Sequence, residues 1–196
     1  MCKYYSYIPK SSINYVNSWV QELGVEIKLS VRRRTKLGDF RVKDDKQIIT
    51  INNDLNKYSF LITLTHEIAH AFVYRDYNSR VNPHGIEWKN TFRSMLLNLL
   101  SINCFPEEIC KPLIIYMKNP KASTFSDLNL VLALKKYDMI NRLTISNLEE
   151  GEKFKIANGR VFIKLNKLRK RIKCIEKNSN RIFFFHPLAE IYKIEI

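Results

Sequence analysis

The chain of 196 residues reads as an α+β protein: helices with a small antiparallel sheet, followed by a small C-terminal all-β unit. Two patterns predict the first part. Apolar residues recur at helical spacing around Val16 and around Phe92, with an apolar run around Leu64 between them, and after the first helix residues 25–31 alternate with period two, with a further strand over 47–51. A third pattern predicts the second part. From Phe154 onward, short alternating runs are separated by turn residues, Asn158-Gly159 foremost.

The first helix is capped by Ser11 or Ser12, buries Ile13, Val16, Val20 and Leu23, and ends at Gly24 in a left-handed C′ position. Residues 25–31 form a half-buried strand. Arg32, Arg33 and Arg34 follow, and Gly38 is expected to supply the positive φ of a turn over 36–39. Residues 40–42 pair back, and residues 47–51 form a further strand closed by Asn52 and Asn53. A helix is expected over 57–74, a loop over 75–83, and then a helix burying Trp88, Phe92, Met95, Leu96, Leu99 and Leu100.

The helix over 57–74 holds His66-Glu67-Ile68-Ala69-His70 in an apolar run. His66 and His70, at i and i+4, share one helix face with Cβ atoms roughly 5–6 Å apart. Two imidazoles so held reach one Zn²⁺ at about 2.0–2.1 Å each. His84, delivered by the loop, is the third candidate ligand, with Glu87 the nearest alternative. Three protein ligands leave a position for water, whose pKa the metal lowers to about 7. Glu67 lies about 100° further round the helix, badly placed as a ligand and well placed as a general base. The competing reading is a set of ordinary core residues. A Glu buried in an apolar helix is costly unless something pairs with it, and three of the chain's four histidines fall within 66–84.

Composition bounds the rest. At 45% hydrophobic the chain is globular, and no apolar run reaches the roughly 18 residues that span a bilayer. Residues 1–5 lack the apolar core of a signal peptide, so a cytoplasmic location is expected. Cys2, Cys104, Cys110 and Cys174 include no Cys-x-x-Cys, which excludes a zinc ribbon and argues for reduced structural thiols. The net charge of +14 is uneven: residues 1–94 carry +6, residues 95–150 carry zero and residues 151–196 carry +8. A basic block of that kind attracts polyanions, nucleic acid above all, though a Lys-rich surface that merely keeps the chain soluble gives the same count.

In the middle, Pro106, Pro112 and Pro120 interrupt the pattern. A short helix is expected over 109–117 and another through 133–137, capped by Ser126-Asp127. In the last quarter, strands are expected on both sides of Asn158-Gly159 and of 178–180, with a fifth over 190–194. Lys164, Lys167, Arg169, Lys170, Arg171 and Lys173 cluster along one edge. Phe183, Phe184 and Phe185 offer stacking faces for bases, every second one being core. His186 is read as a strand-end residue.

Arg34-Thr35-Lys36-Leu37-Gly38-Asp39, Ile49-Thr50-Ile51-Asn52, His66-Glu67-Ile68-Ala69-His70-Ala71 and His84-Gly85-x-Glu87-Trp88-Lys89 occur in that order. Together they resemble the SprT-like family of zinc metallopeptidases, which includes the Spartan proteases that degrade proteins crosslinked to DNA. The resemblance covers about residues 10 to 100. It implies a zincin-like metallopeptidase domain over 1–103, one Zn²⁺ on His66, His70 and His84, and Glu67 as catalytic base. Residues 104–147 then read as a helical connector, and 148–196 as a basic antiparallel β unit in place of the family's four-cysteine ribbon. The expected partners are a protein or peptide substrate and DNA, with no membrane and no obligate partner. Substrate contacts are expected at Ile49 and Ile51, by addition of a peptide strand, and at Tyr77 and Arg80, with Tyr74, Tyr77 and Arg80 as candidates for stabilising the oxyanion. Lys167, Arg169, Lys170, Arg171 and Lys173 are the expected nucleic-acid contacts. Two other function classes remain open at this level: a nucleic-acid-binding module with a structural metal, and a metal-dependent nuclease.

Overall fold

The computed structural model describes residues 4–33, 35–123, 127–139 and 143–194. Cys2, Arg34 and Ser126, named above, lie outside them. The chain divides into two compact units, Met1–Met139 and Ile140–Ile196. The described residues are mixed α+β, with five α-helices and two small sheets.

In the first unit, α1 (Ile13–Leu23) ends at Gly24, whose φ of 61° is left-handed as expected. Ser12 makes no side-chain cap; its hydroxyl donates to the Pro9 carbonyl instead. Three strands follow: β1 (Glu26–Ser30), β2 (Gly38–Lys43) and β3 (Lys46–Asn52). Their order is β1-β3-β2. β2 and β3 are antiparallel, but β1 runs parallel to β3, so the expected antiparallel sheet is a mixed one. The chain crosses the end of β3 between β1 and β2. Asn52, the last residue of β3, fastens that crossing: its Nδ2 donates to the carbonyls of Arg33 and Lys36, both at 3.1 Å.

The expected turn at Gly38 is also corrected. Gly38 begins β2, and its φ is not in the left-handed region. The tight turn lies at Asp44 and Asp45, with φ of 49° and 59°, between the paired Lys43 and Lys46. Two consecutive positive φ values are what a two-residue hairpin requires, and Asp tolerates them better than most residues.

α2 (Lys57–Tyr77) runs three residues beyond the expected end. It is buried nearly all round, because the sheet, α1 and α3 all pack on it, and so it shows little amphipathic patterning. Asn56 caps it by accepting from the backbone N–H groups of Tyr58 and Ser59, a cap worth about 1 kcal/mol. The Asn56 amide also donates to the Leu134 carbonyl, tying the end of α5 to the start of α2. α3 (Ile86–Ser101) buries Trp88, Phe92, Met95, Leu96 and Leu99.

α4 (Glu107–Met117) and α5 (Leu128–Lys135) place Ile109, Leu113, Leu130 and Leu134 in the same core as α2 and α3. Pro112 lies inside α4 rather than breaking it. Asp127 caps α5 through its carboxylate, which accepts from Leu130 N–H.

In the second unit, β4 (Lys153–Lys155), β5 (Val161–Lys167), β6 (Ile172–Glu176), β7 (Ile182–Phe185) and β8 (Tyr192–Lys193) form an antiparallel sheet ordered β7-β6-β5-β4-β8. The turn between β4 and β5 holds Gly159 at φ 84°. Phe154, Phe162, Ile172 and Cys174 form the centre of its core, with Ile145 and Leu148 from the start of the unit.

Candidate metal centre

α2 sets the geometry of the site. Its i, i+4 spacing brings the Nε2 atoms of His66 and His70 to 3.2 Å. The chain then leaves α2 at Asn78, whose φ is 53°, and turns back so that His84 faces the pair. His84 Nε2 lies 3.1 Å from that of His70 and 3.3 Å from that of His66. Among the described residues these three histidines form one group that can hold a metal ion. Glu87, in the first turn of α3, is not part of it.

The surroundings keep the imidazoles neutral, as ligation requires. Burial depresses the His66 pKa to about 3 and the His70 pKa to about 4, and the neighbouring histidines add to both effects. Burial lowers His84 as well. Trp88, fully buried, lies against all three rings, with centroids 4.5 Å from His66, 5.3 Å from His70 and 4.7 Å from His84.

Glu67 is buried beside this group. Burial raises its carboxyl pKa to about 8, and the negative charge of Asp39 pushes the same way, while the Phe40 backbone N–H bonded to it pulls back. That N–H comes from β2, which can approach so closely only because residue 38 lacks a side chain. A Cβ there would lie 2.8 Å from Ile51 Cδ1, 2.9 Å from Thr63 Cγ2 and 3.0 Å from Glu67 Cγ. Burial pushes the Asp39 carboxyl up, but the Arg33 guanidinium bonded to it, with Lys36 3.4 Å away, outweighs this and holds it below the usual carboxylate range. Arg33 in turn donates to Asn52 Oδ1 at 2.8 Å and to the Thr50 carbonyl at 3.0 Å.

Residues 10–103 match the SprT-like family. The match begins just before α1 and ends just after α3, so the three histidines, Glu67 and the mixed sheet all lie within the SprT-like segment. α4, α5 and the second unit lie outside it. No curated protein matches the chain.

Several predicted contacts fall elsewhere. Ile49 and Ile51 are fully buried in the SprT-like segment, and β3 has a partner strand on each side, so it offers no open edge to a peptide. Tyr77 is exposed at the last residue of α2, about 10 Å along the axis from His70 at 1.5 Å per residue. Arg80 is exposed in the loop beyond, and Tyr74 packs on Phe40 at a ring distance of 5.8 Å. Sequence reasoning missed Arg33, Asp39, the Phe40 N–H and Asn52. In the sequence Arg33 is one of three consecutive arginines and Asp39 the end of an expected turn, and a backbone donor leaves no mark in a sequence.

In the second unit, Lys167 is exposed as the last residue of β5, and Arg169, Lys170 and Arg171 lie exposed on the connection to β6, closed by Leu168 N–H donating to the Arg171 carbonyl. Lys173 pairs across the sheet with Phe184, which is 55% exposed, whereas Phe183 and Phe185 pack on the core. Leu188 N–H donates to His186 Nδ1 at 3.2 Å, in the connection after β7. Cys104 and Cys174 are buried thiols pushed up to about 12 and about 11 by that burial. No helix among the described residues is long and apolar enough to cross a membrane.

Proposed function

We propose that the chain is a zinc-dependent endopeptidase of zincin type, acting on proteins held on DNA. The observation that carries the reading is the convergence of three imidazole nitrogens at 3.1, 3.2 and 3.3 Å beside a buried carboxyl on α2, the helix that carries two of them. Two nitrogens bound tetrahedrally at about 2.0–2.1 Å stand about 3.3 Å apart, so the donor set fits Zn²⁺. Zinc held by His66, His70 and His84 supplies Lewis-acid chemistry, polarising a peptide carbonyl and acidifying water.

The chain's own residues supply the proton handling and the shape. Glu67 takes the proton of the attacking water at its carboxylate and returns it to the departing amine nitrogen. The Phe40 N–H fixes the direction of that carboxylate, and Gly38 keeps β2 close enough to do so. A three-ligand site next to an acid–base group favours catalysis over a structural metal, which is normally closed by four ligands. The +8 of residues 151–196, and the exposed cations between β5 and β6, support DNA as the place where substrate is met.

Elemental analysis tests the metal reading. The purified protein is expected to hold one zinc per chain, and His70→Ala and His84→Ala are expected to lose it. Full occupancy in either variant removes that residue from the ligand set.

A further inference from the structure

We infer that Trp88 is a positioning residue that presets the three metal-ligand rings. The inference rests on the reading of His66, His70 and His84 as ligands. Three imidazoles on two chain segments start with independent side-chain rotations, and bringing them to one point costs rotational freedom. One indole meets all three rings, from a different side each time. It stacks on His70 at an interplanar angle of 25°, and presents tilted or edge contacts to His66 at 60° and His84 at 74°. Trp88 thereby blocks rotation of each ring toward the indole.

Trp88 is itself held from two directions. Its Nε1–H donates to the His66 carbonyl at 3.3 Å, fixing the indole to the backbone of α2. Its other neighbour is Phe92, stacked at 4.9 Å with an interplanar angle of 23°. Trp88 also lies four residues after His84, so the segment that delivers the third ligand delivers the residue that sets the other two. Groups that orient metal-bound imidazoles from outside usually do so with hydrogen bonds, and their loss typically costs about 10–100-fold in affinity. Here the orienting contact is the face and edge of one aromatic ring.

The test is metal affinity measured by titrating metal-free full-length protein with Co²⁺, followed by competition with Zn²⁺. Visible absorption of bound Co²⁺ reports ligand geometry independently of any enzyme assay. Trp88→Leu is expected to bind about 10–100-fold more weakly with an altered Co²⁺ spectrum, and Trp88→Phe, which keeps a ring but not the Nε1–H, to lose less. Phe60→Leu removes a fully buried ring of the same core, on α2, and is expected to lower the unfolding midpoint while leaving affinity and spectrum as in the wild type. If Trp88→Leu does not fold, Trp88→Met fills the site without a ring and takes its place. A ringless variant with wild-type affinity and spectrum overturns the inference and leaves the ligand assignment standing. So does a loss no greater than that of Phe60→Leu. A wild-type protein that binds neither metal overturns the ligand assignment, and the inference with it.

Discussion

Gly38 of β2 and Glu67 of α2 are in contact through an absent side chain: a Cβ at residue 38 would lie 3.0 Å from Glu67 Cγ. The strand and the helix meet there closely enough for the Phe40 N–H to hold the carboxylate. Gly38→Ala forces Ile51, Thr63 or Glu67 to move within a packed core. It is expected to cost about 1–3 kcal/mol in denaturant unfolding and to lower peptidase activity while zinc content stays at one per chain. A variant with wild-type activity places Glu67 elsewhere during catalysis.

Asn52 joins the crossing connection to the sheet. Its side chain is fully buried, bonded to the Arg33 and Lys36 carbonyls and accepting from Arg33 Nε. Asn52→Leu keeps the volume and strands these groups, at about 1–3 kcal/mol for each one left unsatisfied. A loss of about 2–4 kcal/mol is expected in chemical denaturation. A loss below about 1 kcal/mol shows that water replaces the side chain.

Two opposing pH dependences are expected in the metal-free protein. Burial, with Asp39 adding to it, raises Glu67 from the usual 4.5 to about 8, so the stability contributed by its neutral form is complete below 4.5 and is lost as pH rises toward 8. Burial depresses His66 and His70 from 6.5 to about 3 and about 4, so the stability from their neutral forms is present above 6.5 and is lost as pH falls below it. Glu67→Gln removes the alkaline loss and keeps the acid one. Denaturation of both metal-free proteins from about pH 4 to about pH 9 reads this directly, and parallel curves above about pH 6 contradict it.

The cationic connection between β5 and β6 is expected to bind DNA through phosphates. Lys170→Glu, Arg171→Glu and Lys173→Glu together should weaken binding, with zinc retained. They should also flatten the log–log salt dependence by about 0.7–0.9 for each phosphate the protein no longer neutralises. Phe184→Ala should cost about 1–3 kcal/mol on single-stranded DNA if a base stacks on its exposed face. Unchanged affinity and salt slope in the triple variant assign the tail another task. The run at Arg32 and Arg33 is a poor substitute, because Arg33 is engaged by Asn52, Asp39 and Thr50, and Arg32 lies 3.4 Å from Asp54.

What the sequence made legible follows from which interactions are local. The i, i+4 histidines, the left-handed Gly24 and the Asn158-Gly159 hairpin are each written within a few adjacent residues, and the structure has them. The parallel pairing of β1 with β3 was not legible, because it depends on strand order, which is set by contacts distant in sequence. The burial of Ile49 and Ile51 follows from that same strand order, which puts β3 in the centre. Glycine signals positive φ most often, which points Gly38 to a turn; here it serves close approach, which only the partner helix reveals. Trp88 was legible as core, but not as the neighbour of three histidines from two segments.

The most direct test of the proposed chemistry is cleavage of a generic unfolded protein substrate by Glu67→Gln and wild type, at matched zinc content and in the presence of DNA. Glu67→Gln keeps the shape and cannot take the proton. Equal zinc with cleavage reduced about 10²-fold or more is the expected result. Equal zinc with undiminished cleavage contradicts Glu67 as the proton acceptor, and with it the proposed chemistry of the site.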